Sequence, residues 1–209
     1  MYFRILHDQV NGFASYLLGD TTHREAVLID PCIADIAVTR AILNDQQLRL
    51  TSILFTHEHD QTRAMNESVL SAFNTLCVDY EKLALTPGTD LLTFGNERLH
   101  IMKTPGHTLT CQSFLWRDRL FCGDLLTVDS CPHQPRPISA GDLWNSVTQK
   151  IFMLPAEIFL FSGHAKQARF LSTVLEQRLW HPWFSGTTRD TFLARVTAPL
   201  TTTALISMK

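Results

Sequence analysis

The stretch TSILFTHEHDQT, residues 51–62, joins a short apolar run to a pair of histidines. The β-branched and aromatic residues of 51–55 predict a buried strand that ends directly before His57 and His59. Alternate residues of an extended segment share one face, so the two imidazoles are expected to point the same way. An H-x-H pair is a weak sign of a metal site until other ligand types converge on it.

Three further polar clusters also follow predicted apolar strands. They are His107 after 98–103, Asp124 after 119–122, and His164 after 158–161. Alone, each is an ordinary hydrogen-bonded histidine or a turn aspartate. Side chains at strand ends can converge on one edge of a sheet, and the order H-x-H, G-H, G-D, G-H predicts a metal site there. Imidazole and carboxylate ligands suit zinc, iron or manganese better than calcium or magnesium.

Composition excludes several classes of protein. The 209 residues are 45% hydrophobic and 18% charged, which is enough for a sizeable core in one domain spanning 1–209. Eighteen basic and 20 acidic residues give a formal net charge of −2, so no nucleic-acid partner is expected. No run of about 18 apolar residues and no signal-peptide pattern is present, so no membrane segment and a cytoplasmic location are expected. The five cysteines lack C-x-x-C spacing, which argues against a disulfide framework or a zinc ribbon.

The rest of the chain predicts a mixed α/β (α+β) fold. Further strands are expected at 13–18, 25–30, 75–78, 90–94 and 112–116, and helices at 33–48, 64–73, 142–153 and 168–180. Asp142 is expected to cap the third helix. This mixed order of strands and helices is typical of two sheet layers with helices outside.

The four metal-type segments carry a family resemblance. FTHEHDQT, TPGHT, FCGDLL and FSGHA resemble, in this order, the motifs of the metallo-β-lactamase superfamily. Within it, YLLGDTTHREAVLIDP, KIFMLP and LSTVLEQRLWHP are similar to segments of the persulfide dioxygenases, near the glyoxalase II thioesterases. The resemblance covers most of residues 10–182 and implies a four-layer αβ/βα sandwich.

The resemblance also implies a site and a reaction. One Fe(II) per chain would be bound by His57, His107 and Asp124, a facial triad of two imidazoles and one carboxylate. His59 and His164 match positions that bind metal in two-metal hydrolases; here they would lie beside the iron as catalytic or orienting groups. The implied reaction oxidises a small-molecule, glutathione-type persulfide with dioxygen to sulfite and a thiol.

Two departures from the family pattern bear on this expectation. The pattern H-x-H-x-D-H continues here with Gln61 and Thr62, which are poor ligands, so a second metal is not expected. A Cys-Gly-Arg-Thr-Asp-Phe stretch that helps to shape the glutathione site retains only Cys131, in the Pro-rich loop CPHQPRP of 131–137.

Cationic candidates for binding an anionic substrate are His133 and Arg136 in that loop and Lys166 after the last cluster. The oligomeric state is not encoded in any motif, and a homodimer is the default because dimers are the commonest soluble assembly.

Two alternatives stay open at this point. In the first, zinc bound by His57, His59 and His107, with or without Asp124, activates water to hydrolyse a thioester. In the second, the missing second-metal ligands and the altered loop mark a degenerate member that binds a ligand or a partner without catalysis.

Overall fold

The computed structural model describes residues 1–73, 90–166 and 169–198, so the strand predicted at 75–78 lies outside the described residues. The strands are β1 Tyr2–Asp8, β2 Phe13–Asp20, β3 Glu25–Ile29, β4 Arg49–Leu54, β5 Leu91–Phe94, β6 Glu97–Lys103, β7 Gln112–Trp116, β8 Arg119–Gly123, β9 Phe159–Lys166 and β10 Arg169–Thr173. The helices are α1 Ile36–Asp45, α2 Arg63–Phe73, α3 Ala140–Gln149, α4 Val174–Trp180 and α5 Arg189–Thr197. None of these described helices is long and apolar enough to cross a membrane.

The strands form two half-sheets that meet at one backbone pairing. The order along the sheet is β4-β3-β2-β9-β8-β7-β6-β5, with β1 added to β2 and β10 added to β9. The β3–β4 and β8–β9 pairs are parallel and the other pairs are antiparallel. Only Phe13 opposite His164 joins β2 to β9, so the two half-sheets are free to turn and pack face to face.

Alternation along the strands divides the apolar residues into three cores. In β2, Tyr16 and Leu18 face the second half-sheet, whereas Leu17 faces α1 and α2. In β8, Phe121 joins the core between the sheets, whereas Leu120 packs with residues of α3 and α5. One core between the sheets and one under each helix layer make four layers, which confirms the predicted αβ/βα sandwich. Burying each large apolar side chain contributes about 1.5–3 kcal/mol.

Several predicted boundaries were wrong for local physical reasons. The first helix ends at Asp45 because Gln47 takes a left-handed backbone conformation, with φ of +53°. The third helix is capped by Ser139, whose hydroxyl accepts a bond from the backbone N–H of Asp142, so Asp142 lies inside the first turn.

The helix predicted at 168–180 is a strand followed by a shorter helix. β10 pairs antiparallel with β9, and α4 begins only after Thr173, whose hydroxyl accepts a bond from the backbone N–H of Glu176. The same hairpin extends β9 beyond the predicted end at residue 161, so His164 lies within a strand. The first strand, β1, and the last helix, α5, were not predicted.

Candidate metal centre

The predicted ligand residues meet beside the junction of the two half-sheets. His57 and His59 lie in the loop after β4, His107 follows β6, and Asp124 follows β8 directly. Single donor atoms of His57, His59, His107, Asp124 and Cys131 all lie within 4.8 Å of one another. The structure therefore brings together all three predicted metal ligands, and it places His59 in the same group.

Two glycines allow the chain to turn tightly at this point. Gly123 has a φ of +53°, and a Cβ there would collide with the side chain of Thr56. Gly106 has a φ of +145°, and a Cβ there would collide with the backbone of Leu143 in α3. Only glycine meets both demands, so these two positions fix how Asp124 and His107 leave their strands.

His57 is oriented by a short relay from the end of β3. The hydroxyl of Thr56 donates to Asp30 Oδ2 over 2.7 Å and lies 3.0 Å from His57 Nδ1. Because the hydroxyl proton is used on Asp30, Thr56 accepts the Nδ1–H of His57. The other ring nitrogen, Nε2, then faces the cluster, 3.4 Å from Asp124 Oδ2.

Asp124 is held on its other side by His164. His164 Nδ1 lies 2.7 Å from Asp124 Oδ1, and both side chains are buried. His164 is not among the five clustered donors, and it contacts one of them, Asp124, directly.

The cluster is short of hydrogen-bond partners. Among the described residues, the buried side-chain nitrogen and oxygen atoms without a partner are Thr39 Oγ1 and three atoms of this site: His107 Nδ1, Asp124 Oδ2 and His164 Nε2. Buried polar groups are nearly always paired, so several unpaired atoms in one place indicate a missing charged or polar ligand.

The charges of the cluster divide into one ion pair and two neutral imidazoles. Burial raises the pKa of Asp124, but its interactions with His164 and His57 outweigh this and hold that pKa well below its ordinary value. Burial lowers the pKa of His57, but Asp124 and Cys131 raise it to well above its ordinary value. Burial, followed by the charge of His57, lowers the pKa values of His59 and His107 to about 4. Both of these imidazoles are neutral at pH 7 and have a lone pair to offer a cation.

Cys131 is the member of the cluster that the sequence did not identify as a donor. Its Sγ lies 3.3 Å from His59 Nε2, and burial raises the pKa of its thiol. The only sequence signal was that this cysteine is retained at the start of an otherwise altered loop. Nothing local in that loop predicts that it returns to the ends of β4 and β6.

The predicted substrate-binding residues have different positions. The ring of His133 lies 5.6 Å from that of His59 and is stacked on Phe13, so it lies beside the cluster. Arg136 donates to the backbone carbonyl of Ala198, after α5, over 2.5 Å. Lys166 is the last residue of β9, and its side chain lies outside the described residues.

The residues that replace the second-metal ligands are used elsewhere. The hydroxyl of Thr62 donates to the carbonyl of His59 and accepts from its N–H, in the turn that leads into α2. Gln61 is exposed, and the side chain of Asp60 is 92% exposed beside Arg63. These three side chains therefore add no donor to the five clustered donor atoms.

One small and one larger cavity lie near the described part of the site. One of about 50 Å³ borders His57, His59 and His164, and it is otherwise walled mainly by apolar side chains, including Phe13, Phe55 and Met65. A larger one of about 250 Å³ lies between β10 and α4 and is lined by none of the five clustered donors. The small cavity therefore opens onto two of the clustered donors, His57 and His59.

Comparison with known proteins identifies close relatives, although no family model matches the chain. Human mitochondrial persulfide dioxygenase ETHE1 is 31% identical over 189 residues, which are 86% of this chain and 74% of that protein. Hydroxyacylglutathione hydrolase of Psychromonas ingrahamii is 33% identical over 124 residues, 56% of this chain and 48% of that protein. The crystal structure of ETHE1 from Myxococcus xanthus superposes with a TM-score of 0.78 at 27% identity, and the match covers 96% of this chain and 93% of that one.

Proposed function

The chain belongs to the persulfide dioxygenase family of the metallo-β-lactamase superfamily, and we propose that it is a mononuclear non-heme iron enzyme that oxidises a small-molecule persulfide. The overall reaction is RSSH + O₂ + H₂O giving RSH, sulfite and two protons. The observation that carries the proposal is the group of three imidazoles and one carboxylate whose donor atoms lie within 4.8 Å of one another.

The donor set fits one transition-metal ion. Bonds of about 2.0–2.2 Å from a metal to nitrogen or oxygen allow two donors on one ion to be at most about 4.4 Å apart. The observed upper limit of 4.8 Å is within a small side-chain adjustment of that value. Asp124 Oδ2 and His107 Nδ1 are buried without a hydrogen-bond partner, and bonds to such an ion would satisfy both atoms.

The same geometry favours one ion over two. Paired metals lie roughly 3.5–4 Å apart, and each of the two ions needs its own set of protein donors. The residues at the family's second-metal positions, Gln61 and Thr62, offer none, because Gln61 is exposed and Thr62 is bonded to the backbone of His59. A bridging hydroxide between two metals, as in a two-metal thioesterase, therefore has no support from the described residues.

Several residues around the cluster then have a defined task. Bound ferrous iron supplies the dioxygen and one-electron chemistry that side chains lack. Thr56 and Asp30 hold His57 with Nε2 towards the cluster, and His164 holds Asp124. The apolar part of the small cavity's wall suits the uncharged part of a persulfide. His133, beside Phe13, is placed to contact the substrate's organic part.

The position of His59 favours one alternative. It lies in the same group as His57 and His107. Zinc bound by these three imidazoles, after displacing the proton of His57, would lower the pKa of a bound water and allow it to hydrolyse a thioester. This single-metal hydrolase differs from the proposed enzyme in needing no oxygen.

Oxygen uptake distinguishes the proposed dioxygenase from the single-metal hydrolase. The iron-loaded protein is given glutathione persulfide, and separately an alkyl persulfide, in an oxygen-electrode cell while sulfite is measured. The proposal expects one O₂ consumed for each sulfite formed with at least one of the two persulfides. Cleavage of an acyl-glutathione thioester under argon by the zinc-loaded protein, with no oxygen uptake by the iron form, would replace the dioxygenase by the hydrolase.

A further inference from the structure

Cys131 is the clustered donor to which the proposed function gives no task. Its side chain is 1% exposed, and its Sγ lies among the donor atoms of His57, His59, His107 and Asp124. We propose that Cys131 is itself a ligand of the metal and binds it through a thiolate sulfur. The inference rests on the proposed metal centre but is independent of the persulfide reaction.

The distance from Cys131 Sγ to His59 Nε2 is that expected between two neighbouring ligands of one ion. With bond lengths of about 2.3 Å to sulfur and 2.1 Å to nitrogen, ligands at 90–110° lie roughly 3.1–3.6 Å apart. Cys131 Sγ and His59 Nε2 are 3.3 Å apart, inside that interval. The buried, unpaired Asp124 Oδ2 belongs to the same group and is an independent sign that a ligand is bound there.

A series of tight turns holds Cys131 at the cluster. The N–H of Thr127 donates to the carbonyl of Asp124, that of Ser130 to Thr127, and that of Cys131 to Val128. Asp124 and Cys131 therefore lie at the two ends of one compact segment. This segment limits the distance between the two side chains.

The other described cysteines have partners away from the cluster. Cys32 donates to Asp35, Cys111 accepts from the N–H of Thr108, and Cys122 donates to the carbonyl of Phe161. Cys131 differs because its neighbour, His59, is itself one of the clustered donors.

A thiolate ligand would change the chemistry of the centre. Together with Asp124 it balances the double charge of a divalent cation, and its softness favours iron, zinc or cobalt over magnesium or calcium. Because only a deprotonated thiol binds metal, metal uptake should release the proton of Cys131.

Cobalt substitution tests the inference by a spectrum instead of by activity. Metal-free protein is titrated with Co²⁺, which gives visible ligand-field bands for any protein-bound cobalt and a near-ultraviolet sulfur-to-cobalt band only with a thiolate ligand. The wild type should show both. Cys131→Ser should keep the visible bands and lose the near-ultraviolet band, and its Zn²⁺ affinity should fall at least about tenfold. The control Cys32→Ser, at a cysteine that lines the small cavity but lies outside the cluster, should keep both bands.

The possible contrary results distinguish a failure of the Cys131 proposal from a failure of the proposed metal centre. Visible bands without a sulfur band in the wild type, or a sulfur band that persists in Cys131→Ser, would overturn the role of Cys131 and leave the metal centre intact. Absence of cobalt and zinc uptake by the wild type would overturn both. The wild-type spectrum decides the matter even if Cys131→Ser does not fold.

Discussion

Two histidine–aspartate pairs in this chain have the same bond length and very different surroundings. His164 Nδ1 lies 2.7 Å from Asp124 Oδ1, and His23 Nδ1 lies 2.7 Å from Asp20 Oδ2. Both carboxylates are buried, but His164 is buried as well, whereas the side chain of His23 is 42% exposed.

The difference lies in the remaining oxygen atoms. Asp20 accepts backbone N–H bonds from Thr22, His23 and Asn96, so both of its oxygens are satisfied within the protein. Asp124 Oδ2 has no hydrogen bond and lies 3.4 Å from His57 Nε2.

A lowered pKa does not distinguish the two carboxylates. The bond from the N–H of Asn96 is the largest influence that lowers the pKa of Asp20, and contacts with His164 and His57 lower that of Asp124. An unsatisfied acceptor does distinguish them. Asp20 stabilises a turn, whereas Asp124 retains a free oxygen for a ligand.

The largest effect is expected from removing the carboxylate of Asp124. Asp124→Ala should weaken metal binding by more than about a hundredfold and abolish activity, because a direct ligand matters more than an outer contact. Metal content after dialysis and oxygen uptake measure this. The matched variant Asp20→Ala should bind metal as the wild type does. Full activity of Asp124→Ala with the metal absent would contradict the account.

The next effect is expected from the histidine partners. His164→Ala should lower metal affinity about 10–100-fold, since Asp124 loses the group that orients it. His23→Ala removes a bond of equal length and should leave metal affinity unchanged. Competition with a chelator of known affinity gives both values. Equal losses of metal affinity in the two variants would show that the pair of His164 and Asp124 has no special role at the metal centre.

A smaller effect on metal affinity is expected from a change of pH. The raised pKa of His57 means that its ring is protonated at neutral pH in metal-free protein, so a metal must displace that proton. Affinity should therefore rise with pH, by up to about tenfold per unit for one proton, until the raised pKa is passed. Calorimetry in buffers of different ionisation enthalpy counts the released protons. Because Cys131 is also proposed to lose a proton, the count for His57 is made on Cys131→Ser, where release of none would show that His57 is not a ligand or is already neutral.

The smallest effect on the metal is expected at a third buried carboxylate, Glu97. It begins β6, whereas His107 follows the end of that strand, and it accepts bonds from Trp116 and Arg117. The contact with Arg117 is the main reason why its pKa is lowered. Glu97→Gln should reduce the free energy of unfolding by about 1 kcal/mol at pH 7 and leave metal affinity unchanged.

The sign of the pH dependence at Glu97 follows from the same shift. A lowered pKa stabilises the fold above the ordinary value of about 4.3, and this stabilisation is lost as the pH falls through the lower folded-state value. The difference between wild type and Glu97→Gln in urea unfolding should therefore shrink between pH 5 and about pH 3. A difference that stays constant over this range would exclude the ionised carboxylate as its source.

Local patterns in the sequence were sufficient for the strands that position the site. Apolar runs before His57, His107 and Asp124 predicted where those strands end, and the structure confirms that these three side chains meet. The prediction succeeded because each run is short, apolar and bounded by turn residues, which are properties of the segment itself.

Features that depend on long-range pairing were not predictable in this way. β10 looks helical in isolation and becomes a strand because it pairs with β9, which in turn continues through His164. Cys131 reaches His59 across 72 residues of sequence, through turns that no periodicity reveals. His59 was expected beside the iron and not as a ligand, yet its donor lies in the same group as the other four.

The central claim is that this chain builds a single-metal centre that holds iron, and elemental analysis tests it most directly. Protein purified without added metal is analysed for iron and zinc per chain, beside the Asp124→Ala variant. We expect close to one iron per wild-type chain and none in the variant. Two metals per chain, zinc in place of iron, or no metal in the wild type would contradict it.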